Sequence, residues 1–317
     1  MTTARLRLPW IDVARGAAIA LMAVYHFCWD LTFFDLVRID LLHDPFWLAL
    51  RTVILSAFLL LVGISLVLTA ERGLTAAAFL RRLALLVAAA LAITAASYRF
   101  FPDSPIFFGV LHHIAVASIL GLAFVRLPAL VTAGSGGLAL LAPTAWAHPW
   151  FDGPMWLWLG LATHEPVSND FVPLLPWFGV VLLGIATGRL LVRRPSVLAG
   201  LGGATAGPVG RALAWCGRRS LAIYLLHQPI LLGLLYAGTA GLGLASPSEE
   251  SRFLASCEAT CRSSGVAASA CTHYCRCVTD DLKQSDRWPD VLAGRIDASS
   301  HERILAAAGR CRDLSSP

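Results

Sequence analysis

Long apolar runs fill the first 240 or so positions of the chain, and their lengths predict membrane-spanning helices. A helix needs about 20 predominantly apolar residues to cross a bilayer. Seven runs approach or exceed that length: 10–34, 46–70, 83–101, 105–126, 127–146, 170–191 and 219–240. The predicted fold class is therefore all-α, a polytopic membrane helical bundle of about seven transmembrane helices.

The end of the chain has a different composition, which indicates a second domain. We assign residues 1–243 to the membrane domain and residues 244–317 to a small, polar, helical tail that holds six of the eight cysteines. Two C-x3-C pairs in the tail predict two helices, each with both sulfurs on one face. We expect a disulfide-stapled hairpin from these four cysteines and a bond from Cys277 to Cys311. A metal site that uses His273 is the alternative.

Basic residues outside the spans are unevenly distributed, which predicts the orientation of the chain. Twelve arginines fall on one side of the predicted membrane, and the loops on the other side hold only Arg38 and Arg99. Arginine-rich loops remain in the cytoplasm. The N-terminus is then cytoplasmic, and an odd number of spans places the tail in the bacterial periplasm, where disulfides persist.

The net charge of +5 is explained by these cytoplasmic arginines, which suit contact with anionic lipid headgroups. The chain has no motif for binding nucleic acid or for cradling a phosphate, so membrane lipids are the predicted partners.

The first apolar run contains four ionisable residues, Asp12, Arg15, His26 and Asp30. On a helix that turns about 100° per residue, they lie within an arc of about 80°. A charged side chain near the bilayer centre costs about 2.5 to 3.5 kcal/mol. We therefore expect this polar face to contact protein or water, and to serve chemistry or transport.

His26 and Asp30 are one helical turn apart near the outer end of the first span. A carboxylate at that spacing can orient an imidazole and support its protonated form, as a general base requires. The pair is the strongest catalytic candidate from the residues alone.

Other polar residues lie in the predicted outer half of the bundle, and together they predict a polar cavity that opens outward. They are Arg51, His112, His113, Asp170 and His227, with Ser220 and Tyr224 on the same helix face as His227. Structural interpretations stay open: Arg51 can extend to the headgroups, Asp12 and Arg15 can form an ion pair at a helix start, and His227 can bond a neighbouring helix. Adjacent histidines cannot both face one site, so at least one of His112 and His113 is expected to have a packing role.

Four sequence blocks resemble a known family. They are WIDVARGAAIALMAVYHFCWDL, which starts at Trp10, and GVLHHIAVAS, DFVPLLPWFGVVLLG and GRRSLAIYLLHQPIL further along. In this order they are similar to the bacterial proteins of the heparan-alpha-glucosaminide N-acetyltransferase catalytic-domain family, within the transmembrane acyltransferase superfamily. The resemblance extends over residues 5–235.

The resemblance implies an enzyme that moves an acetyl or similar small acyl group from cytosolic acetyl-CoA to an extracytoplasmic glycan or glycolipid. His26 would be the base or a transient acyl carrier, Asp30 its orienting group, and Arg15 a contact of the donor. The full assignment is as follows: catalytic, His26, Asp30 and His112; donor-binding, Arg15 and Asp12; acceptor-binding, Arg51, Asp170, Ser220, Tyr224 and His227. No metal is expected.

Two other functions fit the same residues. Rows of His and Asp also form proton relays, which would make the chain a proton-coupled transporter. The chain could otherwise be a non-catalytic membrane anchor for the cysteine-rich tail. Within the enzyme hypothesis, His43 in the first outer loop is a rival catalytic residue. A homo-oligomer is also consistent with the resemblance, because the heparan enzyme has more than seven spans.

Overall fold

The computed structural model describes residues 9–34, 36–37, 39–41, 43–102, 104–194, 207–241, 249–263, 266–284, 288 and 298–314. Within these ranges the regular structure is helical, which confirms the all-α prediction. The chain divides into two compact units, Met1–Asp30 with Ile39–Leu232, and Leu31–Arg38 with Gly233–Pro317. The domain boundary predicted between residues 243 and 244 lies outside the described residues, as do Arg5 and Arg7.

In the described part of the chain, eight helices precede the cysteine-rich region, and six of them are long and apolar enough to cross a membrane. The helices are α1 (Pro9–Phe33), α2 (Pro45–Glu71), α3 (Ala76–Phe100), α4 (Val110–Gly121), α5 (Ala129–Trp146), α6 (Leu174–Val192), α7 (Pro208–Arg218) and α8 (Ser220–Gly241). The short ones are α4, which is apolar, and α7. Two 3-10 turns, Pro149–Phe151 and Leu157–Leu159, lie between α5 and α6.

Helix α4 has 12 residues, fewer than the predicted run 105–126, and at 1.5 Å per residue it covers about 18 Å. Turns continue the segment to residue 127 through i→i+3 hydrogen bonds, such as Leu122 N–H to Ile119 O at 3.2 Å. Six described helices are therefore long enough to cross a membrane, and α4 is a shorter apolar helix. A seventh crossing through this segment stays a prediction.

The polar face of α1 is directed into the protein, as its spacing predicts. Asp30 is fully buried, and Ile19 and Met22 on the same face are almost completely buried. Leu21 and Val24 on the other face are about half exposed, as expected for side chains that meet lipid.

Helices α2 and α6 form the centre of the first unit and approach each other backbone to backbone. A Cβ atom on Gly63 would lie 2.2 Å from the Val181 carbonyl oxygen, and one on Gly184 would lie 2.3 Å from the Leu60 carbonyl oxygen. Small residues allow this close packing where lipid provides little hydrophobic drive for helix association. The fully buried Leu59, Val67 and Ile185 complete the contact.

Beyond α8, the described residues of the second unit form three helices, α9 (Glu249–Ser263), α10 (Ala268–Gln284) and α11 (Ala298–Leu314). Disulfides Cys257–Cys275 and Cys261–Cys271 join α9 to α10, and Cys277–Cys311 joins α10 to α11. The predicted stapled hairpin and the predicted third bond are both confirmed. Because the three bonds use all six thiols, they exclude the alternative thiolate–metal site with His273.

The tail has its own small core. Val278, Leu282 and Cys311 are nearly completely buried and pack with Ile304. On the surface, Arg310 makes a two-pronged contact with the carboxylate of Asp281, with a shortest distance of 2.7 Å. Buried area is limited in a unit of this size, so the disulfides supply much of the constraint that a larger core would provide.

Candidate active site

Two histidines from the first and last spans of the bundle meet inside it. His26 Nδ1 on α1 lies 2.7 Å from His227 Nε2 on α8, and the ring centroids are 4.9 Å apart. The second nitrogen of His227, Nδ1, lies 2.8 Å from the Tyr224 carbonyl oxygen. The predicted bond from His227 to a neighbouring helix is therefore present, and its partner is the strongest catalytic candidate of the sequence.

These contacts determine where the hydrogens lie when both rings are neutral. A carbonyl oxygen can only accept, so His227 Nδ1 carries a hydrogen and His227 Nε2 is a lone pair. His26 Nδ1 must then donate to it. The remaining nitrogen, His26 Nε2, is left as a lone pair, which is the form a general base needs.

Asp30, the predicted orienting group of His26, has a different hydrogen-bond partner in the structure, and its catalytic role stays a prediction. Asp30 Oδ1 accepts a hydrogen bond from Gln228 Nε2 at 2.5 Å, and His227 occupies the Nδ1 position of His26. An i, i+4 spacing permits a contact within α1, but α8 presents two consecutive polar side chains to the same face. His26 thus bonds His227 on α8 and also lies within reach of the Gln228 side chain, which donates to Asp30.

A third polar contact links the segment before α6 to α4 and α8. Asp170 Oδ2 accepts from the Val110 N–H at 3.1 Å and from the Tyr224 hydroxyl at 3.4 Å. Gly109 is needed for this approach, since a Cβ atom there would lie 2.3 Å from Asp170 Oδ2. Asp170 thus caps the N-terminus of α4, where the helix dipole favours a negative charge. The contact lies where α4 begins, at Val110, five residues after the predicted start of this run.

Burial raises the pKa of the Asp170 carboxyl above its ordinary value of 3.8, and three neighbours oppose the rise. They are the Val110 N–H, the Tyr224 hydroxyl and the positive charge of Arg51. Arg51 is an exposed residue of α2. Two of the predicted acceptor-binding residues, Arg51 and Tyr224, therefore act on a third, Asp170.

Ser220 is the first residue of α8 and is half-buried. It lies seven residues before His227, about 10 Å away along the helix axis. Ser220 was predicted to share a helix face with His227, but at this distance it does not reach the histidine pair.

The two adjacent histidines of α4 both have hydrogen-bonding roles at the start of that helix. His112 Nδ1 accepts from the Gly109 N–H at 3.2 Å, and its Nε2 lies 3.3 Å from the Thr94 hydroxyl oxygen. His113 is fully buried, with Nδ1 3.1 Å from the Pro173 carbonyl oxygen. The packing role expected for at least one of them is confirmed. The described contacts of His112 are those of a capping residue, and its catalytic role remains a prediction.

At the other end of α1, Arg15 and Asp12 form the ion pair that their spacing allows. Arg15 Nη1 lies 3.5 Å from Asp12 Oδ1, and its Nη2 donates to Ser65 Oγ at 2.9 Å. The Arg15 side chain remains 25% exposed. The ion pair suggested as the structural interpretation of these residues is therefore observed. Donor binding by Arg15 and Asp12 stays a prediction.

The rival histidine of the first outer loop is in a different environment. His43 Nδ1 lies 3.0 Å from Asp40 Oδ1, and the His43 side chain is 82% exposed. An imidazole so open to water lacks the enclosure that the His26–His227 pair has.

Sequence reasoning missed Gln228 and Ser65 as partners of the polar residues on α1. A glutamine or serine in an apolar span is too common to identify a site. One signal was available for Gln228: Pro229 follows it inside α8 and removes a helical N–H donor, which marks a locally altered segment.

A family model described as heparan-alpha-glucosaminide N-acetyltransferase, catalytic, matches residues 7–229. No curated protein and no solved structure matches the chain. The matched range begins just before α1 and ends immediately after Gln228. It therefore includes every polar contact of the candidate site and leaves the disulfide-bonded helices outside.

Proposed function

The chain belongs to the heparan-alpha-glucosaminide N-acetyltransferase catalytic-domain family, and from this premise we propose that it moves an acetyl or similar small acyl group across a bacterial inner membrane. The donor is acyl-CoA in the cytosol. The acceptor is a hydroxyl or amine of a glycan or glycolipid in the periplasm. The family match supports the coarser activity, that of a membrane acetyltransferase.

The observation that carries this proposal is the hydrogen-bonded pair of His26 and His227. With Nδ1 of His26 held by His227 at 2.7 Å, the basic nitrogen Nε2 has a fixed direction. A positioned general base accelerates proton transfer by typically about 10²- to 10⁴-fold. In this role His26 is the catalytic residue and His227 a positioning residue.

The proton follows a defined route in direct transfer. The acceptor's O–H or N–H proton goes to His26 Nε2 while its oxygen or nitrogen forms a bond to the acyl carbon. The carbon–sulfur bond breaks, and the proton on His26 passes to the departing sulfur, which restores the neutral pair. As the ring becomes positive, the lone pair of His227 Nε2 stabilises the Nδ1–H of His26.

The residues proposed to bind the donor, Arg15 and Asp12, suit a molecule whose reactive group lies far from its charged groups. An acyl-CoA supplies an activated thioester at the end of a long flexible arm, away from its phosphates. Arg15 is partly exposed and precedes His26 by eleven residues, about 16 Å along α1. Its guanidinium could hold a phosphate oxygen, with Ser65 and Asp12 fixing its position.

Two features support the proposed orientation. The arginines of the loops favour a cytoplasmic N-terminus, and three disulfides in the tail suit an oxidising compartment. A chain with seven crossings satisfies both.

The test uses inverted membrane vesicles from a host that expresses the chain, with an H26A strain as the matched control. Acetyl-CoA labelled in its acetyl group is added to the exposed cytosolic face. We expect label in the extracted glycan or glycolipid fraction, release of free CoA thiol, and loss of both in H26A. Label that enters the vesicles inside an intact solute, without thiol release, would indicate a transporter and overturn the proposal.

A further inference from the structure

The contact between Asp30 and Gln228 leaves two polar atoms without partners. Gln228 Nε2 donates to Asp30 Oδ1 at 2.5 Å. The second oxygen of each group, Asp30 Oδ2 and Gln228 Oε1, is buried and accepts no hydrogen bond from any described residue. Asp30 itself is 0% exposed.

Two unsatisfied acceptors on bonded partners point to a missing hydrogen. A buried polar group without a hydrogen bond is costly, and a buried, poorly paired carboxylate is costlier still. A carboxylate and an amide oxygen cannot satisfy each other, because both only accept. A hydrogen on Asp30 Oδ2 changes this, since the acid then has one donor and one acceptor that match those of the amide.

We propose that Asp30 is a neutral carboxylic acid and forms a two-bond ring with Gln228. Gln228 Nε2 donates to Asp30 Oδ1, and the Asp30 hydroxyl donates to Gln228 Oε1. Both unsatisfied atoms gain partners, and no negative charge is left in the membrane interior. The ring needs no additional atom other than the proton.

The ring gives Asp30 a positioning role. Gln228 directly follows His227 on α8, and Asp30 is one turn from His26 on α1. The ring therefore fixes the axial position of α8 against α1 beside the two imidazoles. Since a neutral Asp30 does not favour a positive charge on either ring, His26 stays available as a neutral base. This part of the inference rests on the proposed function, whereas the protonation of Asp30 does not.

The test compares D30N, D30L and Q228L in the full-length protein in lipid nanodiscs. An asparagine supplies the same donor and acceptor as a carboxylic acid, and leucine supplies neither. We expect D30N to retain at least half of the acyl-transfer activity and D30L to lose at least tenfold.

Infrared difference spectroscopy provides a readout that needs no activity. The wild type should show the carbonyl stretch of a protonated carboxylic acid, shifted in D2O and absent from D30N. In Q228L the band should move to higher frequency, because the carbonyl loses its hydrogen bond. Q228L also serves where D30L does not fold.

A wild-type spectrum without this band would overturn the inference. So would a folded D30N protein as inactive as D30L, because an ionised carboxylate would then be required. If the wild type transfers no acyl group, the proposed function fails while the infrared result still decides the protonation of Asp30.

Discussion

His26 Nδ1 lies 2.7 Å from His227 Nε2, although 201 positions separate the two residues in the chain. The first and last helices of the first unit thus supply one imidazole each to a single hydrogen bond. The Tyr224 carbonyl oxygen orients the His227 ring. His227 Nε2 therefore accepts the hydrogen bond from His26 Nδ1, and His26 can react at Nε2.

Replacement of His26 by alanine should reduce acyl transfer by at least about 100-fold, since a general base contributes that much or more. Radiolabel transfer in vesicles gives the rate, and size-exclusion chromatography gives the folded fraction. H43A is the matched control and should keep its activity, because His43 is on an exposed loop. Near-normal transfer by a folded H26A protein would remove His26 from the mechanism.

His227 should tolerate glutamine better than phenylalanine. A glutamine oxygen can accept from His26 Nδ1–H, whereas a phenylalanine fills the space and accepts nothing. We expect the loss of kcat in H227F to exceed that in H227Q by about tenfold, the value of one net hydrogen bond near 1.4 kcal/mol. Steady-state kinetics of both variants make the comparison. Equal losses would mean that the second ring acts through packing alone.

Asp170 should make stability depend on pH in a specific direction. Its pKa in the folded protein is above the ordinary 3.8, so the folded state binds the proton more tightly than the unfolded state. The stability of the wild type relative to D170N should therefore rise as pH falls from the raised pKa toward 3.8. Apparent melting temperatures of both proteins, measured across that window, test the sign. A difference that stays constant or falls on acidification contradicts it.

Gly184→Leu should destabilise the first unit, because its side chain meets the backbone of α2 at Leu60. Forced overpacking costs about 1 to 3 kcal/mol, and the melting temperature in detergent should fall accordingly. The matched control is Gly134→Ala in α5, where no atom lies within 4 Å of an added Cβ. This change should be neutral or raise stability by up to about 1 kcal/mol. If both variants melt alike, the α2–α6 contact is looser than described.

The tail thiols should be accessible from outside intact spheroplasts after reduction. A membrane-impermeant maleimide should then label the tail, and it should do so only if reductant was added first. Cys216, near the cytoplasmic end of α8 in the proposed orientation, should remain unlabelled until the membrane is permeabilised. Labelling of Cys216 in intact spheroplasts would contradict the proposed orientation of the chain.

The sequence predicted the features that depend on local patterns. Hydropathy located α2 and α6 because each is apolar over its whole length. Two C-x3-C segments predicted a stapled hairpin, and the structure supplies its pairing, Cys257–Cys275 and Cys261–Cys271, in which antiparallel helices bring the outer cysteines together and the inner ones together.

Features that depend on long-range contacts were less accessible. The spacing of His26 and Asp30 correctly placed both on one buried face, yet it could not show that α8 would present a better partner to each. Helix α4 covers only Val110–Gly121 of the predicted run 105–126, and its cap at Val110 comes from Asp170, 60 residues further along the chain. A pattern of neighbouring residues cannot predict a contact between residues so far apart in the chain.

The reciprocal glycine contact between α2 and α6 has a consequence for motion. Two helices whose Gly63 and Gly184 meet the opposing backbone cannot slide without a clash, so they act as a rigid spine. The seam between α1 and α8 is joined by directional polar bonds between His26 and His227 and between Asp30 and Gln228, which can break and re-form at little steric cost. Any opening that admits an acceptor should therefore separate α1 from α8, while α2 and α6 keep their relative position.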